Sequence, residues 1–204
     1  MPFHIFMKRY IKSVRIKQSI NYKQNFPTII NKRFKNRKID AAFISSIESK
    51  RGNFQCFDIG IVAKKEIKSV LLKEGKIIHD IHSASSNALA EILNLKGEVI
   101  IGDKALKMYL QNPDIYIDLA KEWNKRYNLP FVFARFCANK RYKYYAKLSN
   151  KFLQKKIKIP NYILKSYAKS RDIEPHDIKE YLKLVSYHID NKAKKSLKLF
   201  LKSI

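Results

Sequence analysis

Five short apolar runs constrain the fold of this chain more than any other feature of its sequence. Runs of this length, without strict polar alternation, are typical of strands buried on both faces of a sheet with helices packed on either side. The runs are KIDAAFISSIE at 38–48, FDIGIVAK at 57–64, IKSVLLKEG at 67–75, GEVIIGD at 97–103 and LPFVFARF at 129–136. The alternating aromatics of the last run, Phe131, Phe133 and Phe136, are predicted to pack in the core.

Helical patterns separate and follow these runs. Residues 86–93 carry apolar side chains on one stripe, and Gly97 is positioned to end that helix. Residues 114–128 have the same pattern. After Pro160 the pattern is helical to the end of the chain, and Pro175 suits the first turn of a helix. The order of strands and helices predicts an α/β chain.

The length of 204 residues and the hydrophobic content of 46% allow a sizeable core. No apolar run approaches the roughly 20 residues of a membrane span, and the first residues lack the apolar middle and cleavage site of a signal peptide. We therefore expect a cytoplasmic protein that does not cross a membrane. Cys56 and Cys137 match no zinc or CxxC spacing and have apolar neighbours, which predicts buried free thiols and no disulfide.

The formal net charge of +26 is the largest anomaly of the composition. Such a field attracts any polyanion or small anionic substrate, so by itself it does not indicate one function. Lysines occur along the whole chain and thicken after Asn139, without a zinc-finger, RNP or basic-zipper pattern. A lysine-rich composition explains this surface about as well as a polyanion does, and we do not expect nucleic acid to be the partner.

Two groups of serines are candidate ligand contacts. Ser83, Ser85 and Ser86 precede a helix, where one hydroxyl can act as a cap but three exceed that need. The first amides of a helix also bind phosphate or carboxylate, so capping and anion binding both stay open. Ser45 and Ser46 end a predicted strand, which is where ligands collect in open α/β sheets and where polar residues are also ordinary.

Other polar residues indicate less. His79, Asp80 and His82 lack a third strong ligand nearby, so we expect no metal site. Asp103 follows a predicted strand, and we favour a role as the cap of a helix that opens at Ala105. The sequence contains no GxGxxG, P-loop or GxSxG, which argues against a nucleotide-dependent enzyme and against an α/β-hydrolase.

Several motifs follow one another in a specific order and spacing. They are RKIDAAFISSIES, KSVLL, D-x-x-SASSNAL, VIIGDKAL and DLAKEWNKRYNLPFVFARF. Together they resemble the MqnA-type chorismate dehydratases of the futalosine route to menaquinone, in the epsilonproteobacterial form. The similarity extends from Pro2 to the closing YLKLVSYHIDNKAKKSLKLF, which is nearly the whole chain.

The resemblance implies a two-lobed fold like that of the type II periplasmic binding proteins, with a cleft between the lobes. Residues 1–72 and 129–204 would form lobe 1, with a helical C-terminal part, and residues 73–128 would form lobe 2. Ser45 and Ser46 match the family's serine pair at a cleft-facing strand end. The small-lobe helix start of the family is matched by Ser85, Ser86 and Asn87.

The implied activity is that of a lyase that dehydrates chorismate to 3-[(1-carboxyvinyl)oxy]benzoate. Aromatisation drives the reaction and no cofactor is required, so the protein mainly orients a dicarboxylate and excludes water. No residue of the matched motifs is required as the base, and the substrate's own side-chain carboxylate is our hypothesis for it. The alternatives are the sister enzyme of the 1,4-dihydroxy-6-naphthoate synthase type, a non-catalytic carboxylate-binding protein of the same fold, and a nucleic-acid binder.

The N-terminus departs from the family pattern. Family members usually begin with a short strand and a Tyr-Leu-Asn-like turn before Leu-Pro-Phe, whereas this sequence opens at Met1, Pro2 and Phe3. A missing strand would expose a sheet edge, so we expect reduced stability, aggregation and weak or absent activity. Phe136 stands where the family usually has a tryptophan, a change that keeps an aromatic ring.

Overall fold

The structure is a computed structural model that describes residues 2–14, 17–18, 27–50 and 52–204. The strands are β1 Ala41–Ser45, β2 Gln55–Ala63, β3 Val70–Glu74, β4 Gly97–Ile101, β5 Tyr116–Asp118, β6 Phe131–Ala138 and β7 Val185–His188. The helices described are α1 Pro2–Tyr10, α2 Pro27–Lys35, α3 Ala84–Ile92, α4 Gly102–Gln111, α5 Leu119–Tyr127, α6 Tyr142–Leu153, α7 Asn161–Arg171, α8 Pro175–Leu184 and α9 Asn191–Lys202. Among the described residues, no helix is both long and apolar enough to cross a membrane.

The strands form two antiparallel sheets. The first has the order β1-β6-β2-β7 and the second the order β4-β3-β5. The chain leaves the first sheet after β2, builds the second, and returns through β6. All five predicted strands are present, and the α/β class is confirmed. The lobe boundaries at 72/73 and 128/129 stay a prediction; the first of them falls inside β3, which begins at Val70.

The largest core cluster joins the second sheet to the C-terminal helix. Trp123 on α5 is fully buried, and its indole Nε1 donates to Ser196 Oγ on α9 at 2.9 Å. The Trp123 ring also contacts Phe131 and Phe200 edge-on. Because these residues come from α5, β6 and α9, burial of one tryptophan ties together three distant parts of the chain. Phe131 and Phe136 are buried as predicted.

A buried carboxylate fixes the start of α5 against the turn before β3. Asp118 caps α5 through Oδ1, which accepts from the amides of Ala120 and Lys121 at 2.9 and 3.1 Å. Its Oδ2 accepts from the amides of Ile67 and Lys68 at 2.8 and 2.6 Å. Four amides therefore share one side chain, which satisfies both a helix terminus and a buried turn.

Several local predictions were wrong. Gly97 does not end α3, which is followed by Leu93 at its C-cap, but opens β4. The close approach of β3 explains the glycine, because a Cβ there would lie 2.1 Å from the Lys73 carbonyl oxygen. Strands β5 and β7 lie in segments predicted as helical. Both are three or four residues long, too short for a periodic signal, and each pairs with an edge of an existing sheet.

The prediction for Asp103 was also wrong. Helix α4 begins at Gly102, and no side chain caps it. Asp103 instead forms an ion pair with Arg171 of α7, with 2.7 Å between Oδ2 and Nε. A second ion pair joins Lys107 to Asp172 beside it. These contacts dock the C-terminal helices on α4, an arrangement that local sequence does not encode.

The two cysteines form a disulfide in the structure, so the prediction of free thiols was wrong. Cys56 on β2 and Cys137 on β6 are direct cross-strand partners. They are 81 residues apart in sequence, and only the antiparallel register of β2 and β6 brings their side chains together.

Replacing Asp118 tests the buried carboxylate. Asp118→Asn keeps one acceptor oxygen but turns an amide NH₂ toward the N–H groups of Ile67 and Lys68, which leaves these buried donors unpaired. We expect the free energy of unfolding to fall by about 2 to 4 kcal/mol, measured by urea denaturation. Asp114→Asn, at an exposed aspartate four residues earlier, is the matched control and should be neutral. Equal stability of the two variants would contradict this account.

Reduction tests the disulfide. A cross-link over 81 residues lowers the entropy of the unfolded chain, which corresponds to about 4 to 5 kcal/mol in the chain-entropy model. We expect dithiothreitol to lower the thermal midpoint of the oxidised protein by several degrees. The variant carrying Cys56→Ala and Cys137→Ala should melt at the same temperature with and without reductant. Thiol titration of the unfolded, unreduced protein should find no free thiol, and two free thiols would refute the cross-link.

Candidate functional site

A large cavity of about 1060 Å³ lies between the two sheets. Its walls come from β1, β2 and β6 of the first sheet, from the residues around β3, α3 and α4, and from α1, α2, α6 and α8. The polar and charged side chains that line it are His4, Asp40, Ser45, Ser69, His82, Ser83, Ser85, Ser86, Arg141, Tyr144, Tyr145 and Tyr181. The remaining lining is mostly aliphatic and phenylalanine side chains.

The polar and aromatic side chains that line the cavity fall into two regions. The hydroxyl end comprises Ser45, Ser69, Ser83, Ser85 and Ser86; the aromatic end comprises Phe3, Phe43, Phe136, Tyr144 and Tyr145. Asp40 and Arg141 also lie at the aromatic end. Asp40 precedes Ser45 by five residues of extended chain, which is about 16 Å.

Ser45 is held in place by an asparagine that sequence reasoning missed. Asn31 on α2 donates from Nδ2 to Ser45 Oγ at 3.1 Å, and its Oδ1 accepts from the Ser45 amide at 3.2 Å. Because Ser45 Oγ accepts this bond, its own proton is available to a ligand in the cavity. The sequence contained one signal for this contact. Asn31 lies on the same helical face as Phe34, and a buried asparagine side chain requires a hydrogen-bond partner.

Ser85 connects the two sides of the cavity. Its Oγ accepts a hydrogen bond from the amide of Ile47, just after β1, at 3.2 Å, so the Ser85 hydroxyl proton is also available. Ser83 occupies the N-cap position of α3, but its side chain makes no capping bond. Its hydroxyl instead pairs with that of Ser86 at 2.6 Å. The hydroxyls at this helix start therefore bond to each other and to β1, not to the helix amides.

Ser46 and Asn87 face the protein. Ser46 is fully buried, its hydroxyl donates to the Val132 carbonyl, and its amide donates to the Phe133 carbonyl at 3.0 Å. Asn87 closes the loop before α3, because its side-chain amide exchanges two hydrogen bonds with the Asp80 backbone at 2.9 and 3.0 Å. Three of the five predicted contacts, Ser45, Ser85 and Ser86, thus line the cavity. The substrate-binding role of all five stays a prediction.

The hydroxyl end is neutral. Its described lining contains no Asp, Glu, Lys or Arg. The imidazole of His82 also lines the cavity, and its Nδ1 lies 3.0 Å from Thr28 Oγ1. His79 lies outside the cavity beside Glu91. Within the described ranges, no three His, Cys, Asp or Glu side chains form a group that could hold a metal ion. An anion would therefore be held here by hydroxyls and by the start of α3.

A tyrosine that the sequence did not single out completes this region. Ser69, in the turn before β3, donates from Oγ to the Tyr181 hydroxyl oxygen at 3.1 Å. Both residues line the cavity. Burial raises the pKa of Tyr181 above its ordinary value, so the phenol is protonated at neutral pH.

The fold and the cavity define a class, an α/β protein whose two sheets enclose a ligand cavity with a hydroxyl-lined end. The menaquinone biosynthesis family matches residues 87–204. A chorismate dehydratase of Campylobacter jejuni is 47% identical over 205 residues, which cover 100% of this chain and 92% of that protein. The chain belongs to this menaquinone biosynthesis family, as the order of its motifs predicted.

Two solved structures are similar to this chain at low sequence identity, and the first of them shares its fold. A crystal structure of a protein from Archaeoglobus fulgidus matches with a TM-score of 0.60 at 12% identity, over 88% of this chain and 83% of that one. The periplasmic aliphatic sulphonate binding protein SsuA of Escherichia coli matches with a TM-score of 0.49 at 12% identity, over 98% and 88%.

Proposed function

We propose that the hydroxyl end of the cavity binds chorismate and that the chain removes water from it to give 3-[(1-carboxyvinyl)oxy]benzoate, a lyase reaction of menaquinone biosynthesis. The observation that supports this most is the convergence of Ser45 and Ser85, from opposite walls, on one cavity. The chain is also 47% identical over its whole length to a chorismate dehydratase. A cytoplasmic location belongs to the same proposal and rests on the sequence alone.

The donors at the hydroxyl end suit a dicarboxylate. Ser45 and Ser85 each accept a hydrogen bond from the protein, which directs their own protons toward the ligand. A carboxylate takes up such hydroxyl donors and also gains from the partial positive charge at the start of α3. The net charge of +26 raises the local concentration of a dianion around the whole protein. Binding then needs no buried cation at the hydroxyl end.

The reaction requires orientation more than strong acid or base groups. Loss of the ring proton beside the ether leaves an anion that delocalises through the diene to the ring carboxylate. Expulsion of the neighbouring hydroxyl then yields the aromatic ring, without any change in redox state and hence without a redox cofactor. Donors that hold both carboxylates in one geometry lower the entropy cost of this step and stabilise the developing charge.

The base is proposed to be the side-chain carboxylate of the substrate. The described lining of the hydroxyl end contains no carboxylate, and Asp40 lies about 16 Å along β1 from Ser45. The substrate brings its own carboxylate next to the ring proton and needs only the correct rotamer, which the cavity wall can impose.

Turnover of chorismate by the purified chain tests the proposal. We expect the enolpyruvyl benzoate to form, at the low rate that the N-terminal departure predicts, and liquid chromatography with mass detection measures it. Ser85→Ala should lower kcat/KM by about 100-fold, the usual loss on removing one such donor. Ser170→Ala is the matched control, since Ser170 is an exposed serine bonded only to the Tyr167 carbonyl and to Arg171, and it should keep wild-type activity.

Three outcomes would count against the proposal. Chorismate that binds and is recovered unchanged would make the chain a carboxylate-binding protein. No binding and no turnover would direct attention to the substrate of the sister enzyme. Wild-type activity in Ser85→Ala would remove the hydroxyl end from the reaction.

A further inference from the structure

Tyr181 presents a proton donor to the cavity that nothing in the proposed function has used. Its phenol has one proton, and its oxygen already accepts the hydrogen bond from Ser69. The phenolic O–H must therefore point away from Ser69, and the tyrosine lines the cavity. Among the described residues, no further partner of this hydroxyl is found.

The pair is held rigidly at the wall. Ser69 is only 6% exposed, and its carbonyl accepts from the Gly102 amide at the start of α4 at 2.8 Å. Tyr181 is part of α8 and packs in two hydrophobic clusters at once. A donor fixed by both backbone and packing needs little reorganisation when charge develops near it.

Strand register relates Ser45 to Ile61, a residue that lines the same cavities as Tyr181. Tyr181 and Ile61 both line the large cavity and a smaller cavity of about 150 Å³. Ile61 pairs with Ala134, and Ala134 pairs with Ser45. Ser45 and Ile61 are thus two strand spacings apart, about 10 Å. Ser45 and Tyr181 both line the large cavity, and the sheet between Ser45 and Ile61 is about as wide as one ring with two short substituents.

We infer that Tyr181 is the general acid that protonates the departing hydroxyl of chorismate, an assignment that rests on the proposed function. The base removes the ring proton, and the electrons of that C–H bond form the new ring double bond. The bond between the ring carbon and the hydroxyl oxygen breaks, and that oxygen takes the Tyr181 proton and leaves as water. The phenolate regains a proton, through water, from the carboxyl group formed on the side chain of the product, so the balance closes with no co-reactant.

The acidities match this role. A buried phenol stays protonated at neutral pH, yet it is a far stronger acid than water, so transfer of its proton to the departing hydroxide is downhill. Return of a proton from the product's carboxyl group to the phenolate is also downhill, because a carboxylic acid titrates near pH 4 and readily protonates a phenolate. The other phenols of the cavity, Tyr144 and Tyr145, lie at its aromatic end. His82 is the competing donor of the hydroxyl end.

The test compares Tyr181→Phe with Tyr187→Phe, a second largely buried tyrosine that lines the small cavity and not the large one. After wild-type turnover of chorismate is established, we expect Tyr181→Phe to lower kcat by about 100-fold or more with little change in KM. Tyr187→Phe removes a hydroxyl from a buried tyrosine outside the large cavity, so its kcat should stay within about twofold of wild type. Thermal midpoints of both variants report any loss of folding.

A second substrate separates acid catalysis from a structural role. Chorismate acetylated at its ring hydroxyl loses acetate, which needs no proton, so Tyr181→Phe and wild type should convert it at equal rates. Equal loss on both substrates, or wild-type kcat in Tyr181→Phe, would overturn the assignment. A third result would also overturn the assignment: His82→Gln is inactive on chorismate but active on the acetylated substrate, whereas Tyr181→Phe keeps its activity on both. Failure of the wild type on chorismate would instead refute the proposed function itself, and this inference with it.

Discussion

The antiparallel pairing of β6 with both β1 and β2 is the constraint on which the rest of the structure depends. One register aligns Ser45, Ala134 and Ile61 across three strands, and all three residues line the cavity. The same pairing brings Cys56 against Cys137 and gives Ser46 its acceptor on Val132. A slip of one residue would turn every side chain of β6 to the opposite face and remove all three features together.

The polar residues around the cavity differ in whether the protein already uses their hydrogen-bond donors. The side chains of Ser46 and Asn87 bond to the backbone of the protein and so hold the cavity walls in place. Ser45, Ser85 and Tyr181 accept hydrogen bonds from the protein, so their own hydroxyl protons are not used in these bonds. The site is thus a set of neutral donors in a protein of net charge +26. In the proposed function, the charged surface attracts the dicarboxylate and the cavity orients it.

Sequence reasoning reached the elements that carry a strong local signal. The five apolar runs are strands, and the serines Ser45, Ser85 and Ser86 meet at one cavity as the family motifs implied. It missed β5 and β7, because segments this short have no measurable periodicity and acquire strand geometry only by pairing. It also missed Asn31, because a helical face shared with Phe34 indicates burial but does not identify Ser45 as the partner of the asparagine.

The sequence by itself determined the buried strands, the main helices, the strong positive charge and the family, because these follow from composition, periodicity and motif order along the chain. Tertiary structure alone decided which distant residues meet. The Cys56–Cys137 bond, the Asp103–Arg171 ion pair and the bond from Ser69 to Tyr181 join residues 81, 68 and 112 positions apart. Such contacts depend on strand register and helix docking, which no local sequence pattern contains. The side chains that meet at the site could therefore be identified only from the tertiary structure.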